Sequence, residues 1–425
     1  METLTKEIII QRFLERTQEH ARQTALLHRE LAGLRRNSLA ELASLVSRQI
    51  AACADTGGAG RQAQFSFEDL QEFATGSIAR CLGEEYSIYA GRRSPRIPNG
   101  DLLLMSRITA IQGRKQQFEQ ASGITAEYDV PADAWYFAGA RDGRLPVSIA
   151  LEIGLQPCGF LSAYMGTPLR YPEIDFFFRN LDGRAAFTRP FDARGKTITT
   201  RAALVKTVFS STAIIQNFTF ELACEGAVFF RGESSFGYFP AGAMAAQAGL
   251  DGETPALPWI ESGTGAAREA LEEICCSGDL PAGKLDLVER AGALPNGGLH
   301  GAGYVLASRQ NSPQDWYYAC HFHEDPVMPG SLGIEAIAQA MQLFIQRQNG
   351  AAARVSMASG QEMVWKYRGQ VLQKHHRVQV EIHFRPVQRT RSGAVFSGDA
   401  SLWADDRRIY AVHNLAFEIQ EGRNG

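Results

Sequence analysis

The chain has 425 residues, of which 45% are apolar and 21% charged, and its formal net charge is -3. This length leaves room for two or three domains, while the near-neutral charge, the short apolar runs and the charged N-terminus exclude a nucleic-acid surface, a membrane span and a signal peptide. Seven cysteines without a CxxC pair are typical of free thiols in a reducing compartment, so we expect a cytoplasmic protein.

Residues 1–54 form the first predicted element. They are rich in Leu, Ala, Glu, Gln and Arg, they contain no proline, and their apolar residues recur at helical spacing. We predict one long helix or a helical hairpin, which serves either as a packed terminal helix or as a docking and linker segment in a larger assembly. The following "DTGGAGRQAQ" is typical of a flexible connection.

Composition divides the rest of the chain into two globular units with a linker between them. Residues 65–240 contain a helix-like start, one apolar helix and several runs rich in β-branched and aromatic residues. Residues 241–267, rich in Ala, Gly, Pro and Thr, are predicted to be a linker, and residues 268–425 form the second unit. Each central helix is too apolar on most faces to be exposed, so a bent antiparallel sheet must cover it, which predicts an α+β fold.

The two units resemble one another in sequence, which indicates an internal duplication. The string "LLLMSRI" at Leu102 matches "LDLVERA" at Leu285, and "LPVSIALEIGLQ" matches "MPGSLGIEAIAQ", so that Glu152 aligns with Glu335 at an offset of 183. The strings "DAWYFA" and "QDWYYA" also match, as does "GAVF", which occurs in both units. Two copies of one fold in a chain commonly pack as a pseudo-twofold dimer.

The segment "HFHEDPVMPGSLGIEA", which begins at His321, closely resembles the active-site segment of the 3-hydroxydecanoyl-ACP dehydratase family. In that family a histidine precedes an Asp-Pro-Val-Met-Pro-Gly turn, and a carboxylate follows on the helix of a hot-dog fold. The tandem arrangement, with "LEIGLQPCGFLSAYMG" in one copy and "WKYRGQV" in the other, is similar to the paired dehydratase domains of polyunsaturated fatty acid synthases and iterative polyketide synthases.

This resemblance implies a double hot-dog fold with an N-terminal helical extension. It implies a 3-hydroxyacyl-ACP dehydratase, which needs a base for the C2 proton and an acid for the leaving hydroxyl. The substrate would be carried on the phosphopantetheine of an acyl carrier protein, with no other cofactor and no metal. The expected partners are this carrier protein and other synthase domains, without nucleic acid or membrane, and a homodimer is compatible with the resemblance.

The site residues implied by the resemblance come from both copies. The chain has no histidine between residues 29 and 299, so the first copy cannot supply the base. Because the family joins the histidine of one subunit to the carboxylate of the other, His321 as base is expected to meet Glu152 as acid. Glu335 would then face the position near Ala140 that lacks a histidine, in a second and inactive site.

Three further residues are expected to support the chemistry. Gln156, one helical turn after Glu152, can orient its carboxyl group. Gly330 and Ser331 open the second hot-dog helix, whose free N–H groups can polarise a thioester carbonyl. The side chain of Glu152 is longer than the Asp of the closest family motif and can alter isomerase competence, so isomerisation after the dehydration is left open.

Alternatives remain open from the residues alone. Lys366 and Arg368 of "WKYRGQV" are either contacts for the acidic carrier protein or ordinary surface residues of a strand. His323, Glu324 and Asp325 could be considered as metal ligands beside His321. Their spacing is not one of the recognised zinc patterns, so a metal site is not favoured. A hot-dog acyl thioesterase and a non-catalytic module that binds the carrier protein remain the alternative functions.

Overall fold

The computed structural model describes residues 63–138, 144–210, 213–252, 254–262, 269–274, 283–350, 353–390 and 393–420. The helix predicted for residues 1–54 lies outside these ranges, and so does the position near Ala140 that matches His321. The described residues all belong to one compact unit, Gly60–Gly425.

Two long helices, one in each half of the chain, form the centre of the fold. Each begins directly after a proline, Pro146 or Pro329. Backbone N–H groups at a helix start have no partner within the helix, so the missing N–H of proline does not destabilise the helix there. Almost every residue of the first long helix is buried, as its apolar sequence predicted. In chain order the described helices are α1 (Phe67–Thr75), α2 (Ile78–Leu82), α3 (Val147–Tyr164), α4 (Ala241–Ala245), α5 (Trp259–Ser262), α6 (Tyr317–Cys320) and α7 (Gly330–Asn349).

The strands of the described residues form a single antiparallel sheet. In chain order they are β1 (Arg107–Gln112), β2 (Ser122–Asp129), β3 (Phe176–Phe187), β4 (Thr197–Phe209), β5 (Ile214–Cys224), β6 (Ala227–Pro240), β7 (Glu272–Ile274), β8 (Arg290–Leu294), β9 (Tyr304–Gln310), β10 (Val355–Met357), β11 (Met363–Tyr367), β12 (Arg377–Phe384), β13 (Gln388–Thr390), β14 (Gly393–Ala404) and β15 (Arg407–Gln420). Their β-branched and aromatic residues fit a pleated surface that is buried on one face.

The sheet consists of two equivalent halves. Outward from the centre, one half runs β3-β6-β5-β4-β2-β1 and the other runs β11-β15-β14-β12-β9-β8, with β7 added at its edge. The first half packs on α3 and the second on α7. We call these halves the first and the second repeat. The predicted double hot-dog fold is confirmed, since each repeat is a sheet around one central helix.

One of the sequence matches that suggested the duplication is wrong. Gly226 precedes β6, whereas Gly393 begins β14, and the strand order makes β6 equivalent to β15. The recurring "GAVF" therefore lies on strands that are not equivalent. Short strings of small and β-branched residues recur in unrelated strands because they satisfy the same pleated geometry.

The repeats are joined by strands β3 and β11 and by direct packing of α3 on α7. Gly183 of β3 lies opposite Trp365 of β11, and a Cβ atom at position 183 would overlap the Trp365 ring. The Trp365 indole also donates a 2.8 Å hydrogen bond to the Oδ1 atom of Asn180. The junction is thus closed by a large buried side chain that lies over a glycine.

The segment between the repeats follows the outside of the second repeat. Leu250 N donates to the carbonyl of Arg408 at 2.9 Å, and the Trp403 indole donates to the carbonyl of Ala256 at 2.8 Å. Asp251 also forms an ion pair with Arg408. In its described part, the predicted linker 241–267 is therefore fastened along β14 and β15.

None of the helices that the structure describes is both long enough and apolar enough to cross a lipid bilayer.

Candidate active site between the two repeats

Glu152 of α3 is a buried carboxyl group that contacts the second repeat. Its Oε1 atom accepts a 2.6 Å hydrogen bond from the Ser331 hydroxyl, and its Oε2 atom accepts a 3.0 Å bond from the Gln156 amide. Ser331 is the second residue of α7. The carboxyl group of one repeat is therefore attached to the helix start of the other.

Gln156 is itself held in one orientation by the backbone. Its Nε2 atom also donates to the carbonyl of Leu102 at 2.7 Å, and its Oε1 atom accepts from the Leu104 amide at 2.9 Å. Burial raises the pKa of the Glu152 carboxyl above its usual range, and the hydrogen bonds from Ser331 and Gln156 only partly oppose this effect. The site can therefore hold a protonated carboxylic acid.

His321 follows α6 in a short loop and is half-buried. Its Nδ1 atom lies 2.8 Å from the carbonyl oxygen of Val327. Because a carbonyl can only accept, Nδ1 carries the proton, and the lone pair of Nε2 remains available. Burial lowers the pKa of His321 to about 3, although the hydrogen bond to Val327 by itself raises this pKa. The imidazole is thus neutral near pH 7, as a general base must be.

The His321 loop is anchored by the first repeat. Arg179 of β3 binds Asp325 through two hydrogen bonds of 2.7 and 2.8 Å, which is the strong bidentate geometry. Arg93 donates a 2.8 Å hydrogen bond to the carbonyl of Glu324. Asp325 therefore serves as an anchor for arginines, and among the described residues no group of three or more His, Cys, Asp or Glu residues could hold a metal ion.

The start of α7 completes the arrangement. Gly330 lies against the Tyr367 ring, and a Cβ atom at position 330 would be only 2.6 Å from Cε2 of that ring. Glycine is therefore required where the helix start and the ring meet. Sequence analysis missed Tyr367, although the alternating burial of β11 directs it inward together with Trp365.

The second repeat matches a known protein family. Residues 280–413 match the FabA-like domain family. These residues contain the His321 loop, α7 and most strands of the second repeat. The FabA-like domain thus supplies the imidazole and the helix start, whereas Glu152 lies outside it.

Most of the chain is also similar to a longer curated protein. It is 32% identical over 391 residues to a polyunsaturated fatty acid synthase subunit of Thraustochytrium sp. (strain ATCC 26185 / S-3), over 83% of this chain and 26% of that protein. The chain thus spans about a quarter of the length of that relative. Together with the FabA-like domain, this similarity confirms the resemblance that the sequence motifs carry.

Solved structures with a similar arrangement include two kinds of hot-dog protein. The dehydratase domain of RzxB from Pseudomonas fluorescens has a TM-score of 0.42 and 9% identity, covering 75% of this chain and 99% of that one. The oleoyl thioesterase (putative) from Lactobacillus plantarum has a TM-score of 0.43 and 10% identity, covering 71% and 98%. At these TM-scores the likeness decides nothing about function.

A second carboxyl site mirrors the first. Glu335 of the FabA-like domain is buried, and its Oε2 atom accepts hydrogen bonds from the hydroxyl and the backbone N–H of Ser148 at 2.8 and 3.2 Å. Gln339 donates to the carbonyl of Leu285 at 2.7 Å. Ser148 and Ser331, like Glu152 and Glu335, are 183 positions apart. Glu335 of α7 therefore bonds to the start of α3, whereas Ser331 of α7 bonds to Glu152.

The two sites differ in what surrounds the carboxyl group. In the second site Val147 takes the place of Gly330, and the helix N–H of Ser148 is already bound to Glu335. By contrast, Glu152 accepts only the Ser331 hydroxyl from α7 among the described contacts. Among the described contacts, the backbone N–H of Ser331 is therefore not bound to a carboxyl group.

Arg368 is partly exposed and forms an ion pair within the sheet. It forms two hydrogen bonds of 2.8 and 3.0 Å to Asp182 of the first repeat, so it joins the repeats. Lys366 is exposed on the outer face of β11, and its contact with a carrier protein stays a prediction. The sequence does not show the Arg368–Asp182 contact, because the contact forms only where β11 pairs with β3.

Proposed function

We propose that this chain dehydrates a 3-hydroxyacyl thioester, carried by an acyl carrier protein, to the 2-enoyl thioester. The observation that carries the proposal is the 2.6 Å hydrogen bond between Ser331 and Glu152. It attaches a protonatable acid from the first repeat to the helix that follows the His321 loop. A base, an acid and a helix start are the groups that this elimination needs.

In the proposed reaction the Nε2 atom of His321 removes a proton from C2 of the substrate. Negative charge develops on the thioester oxygen, next to the N–H groups at the start of α7. Glu152 donates its proton to the 3-hydroxyl group as the C3–O bond breaks, the C2=C3 double bond forms, and water leaves. The proton on His321 then returns to Glu152 through solvent, which restores both groups.

The substrate and the partners are inferred from the relative's name and from the resemblance of the sequence motifs. The relative is a polyunsaturated fatty acid synthase subunit, and the elongation of acyl chains on carrier proteins passes through 3-hydroxyacyl thioesters. We therefore propose an acyl carrier protein and other synthase domains as partners of this chain. The proposal ends at the 2-enoyl thioester and includes no isomerisation.

The decisive experiment incubates the protein with a carrier-bound 3-hydroxyacyl thioester and identifies the product by mass spectrometry. Loss of one water with the thioester intact is expected, and His321→Ala should abolish it. His323→Ala is the matched control, because His323 is an exposed neighbour in the same loop. Release of a free acid would indicate a thioesterase, and carrier binding without turnover would indicate a non-catalytic module.

A further inference from the structure

Tyr367 is a buried polar residue at the start of α7. It ends strand β11, is 7% exposed, and packs its ring at 4.2 Å from that of Tyr410. A Cβ atom on Gly330 would lie 3.2 Å from the Tyr367 hydroxyl oxygen. The hydroxyl is therefore a close neighbour of the helix start at which the proposed reaction places the thioester oxygen.

The Tyr367 hydroxyl makes no hydrogen bond within the part of the chain that the structure describes. It is also not one of the fully enclosed polar atoms that lack a partner, so its oxygen keeps a small accessible surface although the ring is buried. Buried tyrosine hydroxyls usually find a partner. An unpaired donor beside an open helix start indicates that the partner comes from a ligand.

The hydroxyl is a permanent donor at neutral pH. Burial raises the pKa of Tyr367 well above its usual range, and the neighbouring Tyr410 and Glu152 raise it further. The influence of Glu152 also indicates that the hydroxyl belongs to the same site as this carboxyl group.

The second carboxyl site has no counterpart of this hydroxyl. The β5–β6 and β14–β15 hairpins have a register shift at the same place, which makes Phe230 of β6 the counterpart of Tyr410 of β15. Phe187 lies opposite Phe230, as Tyr367 lies opposite Tyr410, so Phe187 corresponds to Tyr367. Its ring is buried and carries no polar group. The tyrosine therefore occurs only at the site that has the glycine helix start and the His321 loop.

We propose that the Tyr367 hydroxyl donates a hydrogen bond to the thioester carbonyl oxygen of the substrate, beside the N–H groups at the start of α7. This donor stabilises the enolate that forms when His321 removes the C2 proton. The inference rests on the proposed dehydratase function. The leaving 3-hydroxyl group is assigned to Glu152, because only a group that transfers a proton completes the elimination.

The test separates proton removal from elimination. A saturated acyl thioester on the carrier protein has no 3-hydroxyl group, so exchange of its C2 hydrogens in deuterated water reports only the base and the oxyanion donors. Tyr367→Phe should slow both this exchange and dehydration by roughly 10- to 100-fold, somewhat below the usual effect of removing one oxyanion donor, with little change in KM. Tyr238→Phe, which removes a buried hydroxyl from the first repeat, is the control and should leave both rates unchanged.

The outcomes distinguish this inference from the proposed function. Equal rates for Tyr367→Phe and the wild type would overturn the inference alone. Slower dehydration with unchanged C2 exchange would also overturn it, because the hydroxyl would then act on the leaving group. A wild-type protein that neither exchanges nor dehydrates would overturn the proposed function, and this inference with it.

Discussion

The Ser331 hydroxyl and the Glu152 carboxyl group are joined by a 2.6 Å hydrogen bond although 179 positions separate them in the chain. Ser331 belongs to the helix start of the second repeat, and Glu152 belongs to the central helix of the first. The mirrored bond between Ser148 and Glu335 is 2.8 Å long. The two helices thus exchange equivalent hydrogen bonds, but only one of the two sites continues into a histidine loop within the described residues.

The first prediction compares the two buried carboxyl groups. Glu152→Gln should lower kcat by about 100-fold or more, because an amide cannot supply the proton that a general acid contributes. Glutamine keeps the size of the side chain and can still bond to Ser331, so the fold should be retained. Glu335→Gln is the matched variant and should keep most of the activity in the same carrier-bound assay. Equal losses in the two variants would contradict the assignment of the acid to Glu152.

The second prediction concerns the pH dependence of kcat/KM. An ordinary imidazole, with a pKa of about 6.5, would lose its base form as the pH falls from 7 to 5. Burial lowers the pKa of His321 to about 3, so the rate should not fall as the pH is lowered over this interval. The raised pKa of Glu152 has the opposite consequence, since only its protonated form donates. The rate should therefore fall as the pH rises through the pKa of Glu152.

This pH profile is measured between pH 5 and 9, with the folded state checked by circular dichroism at each pH. An acid limb with an apparent pKa near that of free imidazole, about 6.5, would show that His321 is solvated during turnover. It would then contradict the lowered pKa that the partial burial of His321 predicts.

The third prediction tests the anchor of the His321 loop. Arg179→Ala removes both hydrogen bonds to Asp325. The partly buried carboxylate of Asp325 then keeps only the ion pair with Arg93. The expected loss in unfolding free energy is about 1 to 3 kcal/mol, between the values for exposed and buried ion pairs. Activity should fall further than stability alone explains, because the loop carries the base.

Arg184→Ala is the control for this anchor. Arg184 lies on the same strand but forms ion pairs with Glu233 and Glu362 instead of Asp325, and its side chain is 45% exposed. Urea denaturation and the carrier-bound assay should both show smaller changes than for Arg179→Ala. A fully active Arg179→Ala protein would show that the loop holds His321 without this anchor.

The fourth prediction tests the junction of the two repeats. Gly183→Ala would force its new methyl group into the Trp365 ring, so β3 and β11 must shift apart. Overpacking of this kind costs roughly 1 to 3 kcal/mol, measurable as a lower thermal midpoint. Gly242→Ala is the control, since no atom lies within 4 Å of its added methyl group. If both variants unfold at the same temperature, the junction is more tolerant than the packing indicates.

Much of the fold follows from local patterns in the sequence. The starts of α3 and α7 at prolines, their apolar composition and the 183-residue offset between Glu152 and Glu335 can be read directly from the chain. A duplication repeats these patterns in order, so the two-repeat architecture can be predicted from the sequence. The absence of histidine from the first copy is likewise visible in the sequence.

What sequence analysis missed has a common cause. It left the role of Arg368 open because Asp182, the ion-pair partner of Arg368, is 186 positions away. The "GAVF" match failed because a strand's neighbours in the sheet are not visible in its own residues. Residue type and spacing thus identify candidates, but they do not show which candidates are already bound to each other.

The sequence by itself determined the two repeats, the His321 segment and the pair of carboxyl groups, since these depend on residue type and on spacing along the chain. Only the tertiary structure decided that Ser331 bonds to Glu152, that Arg179 holds Asp325, and that Tyr367 lies against Gly330. These contacts join residues that are distant in sequence. They form because β3 pairs with β11 and α3 packs on α7, and this packing brings the two halves of the site together.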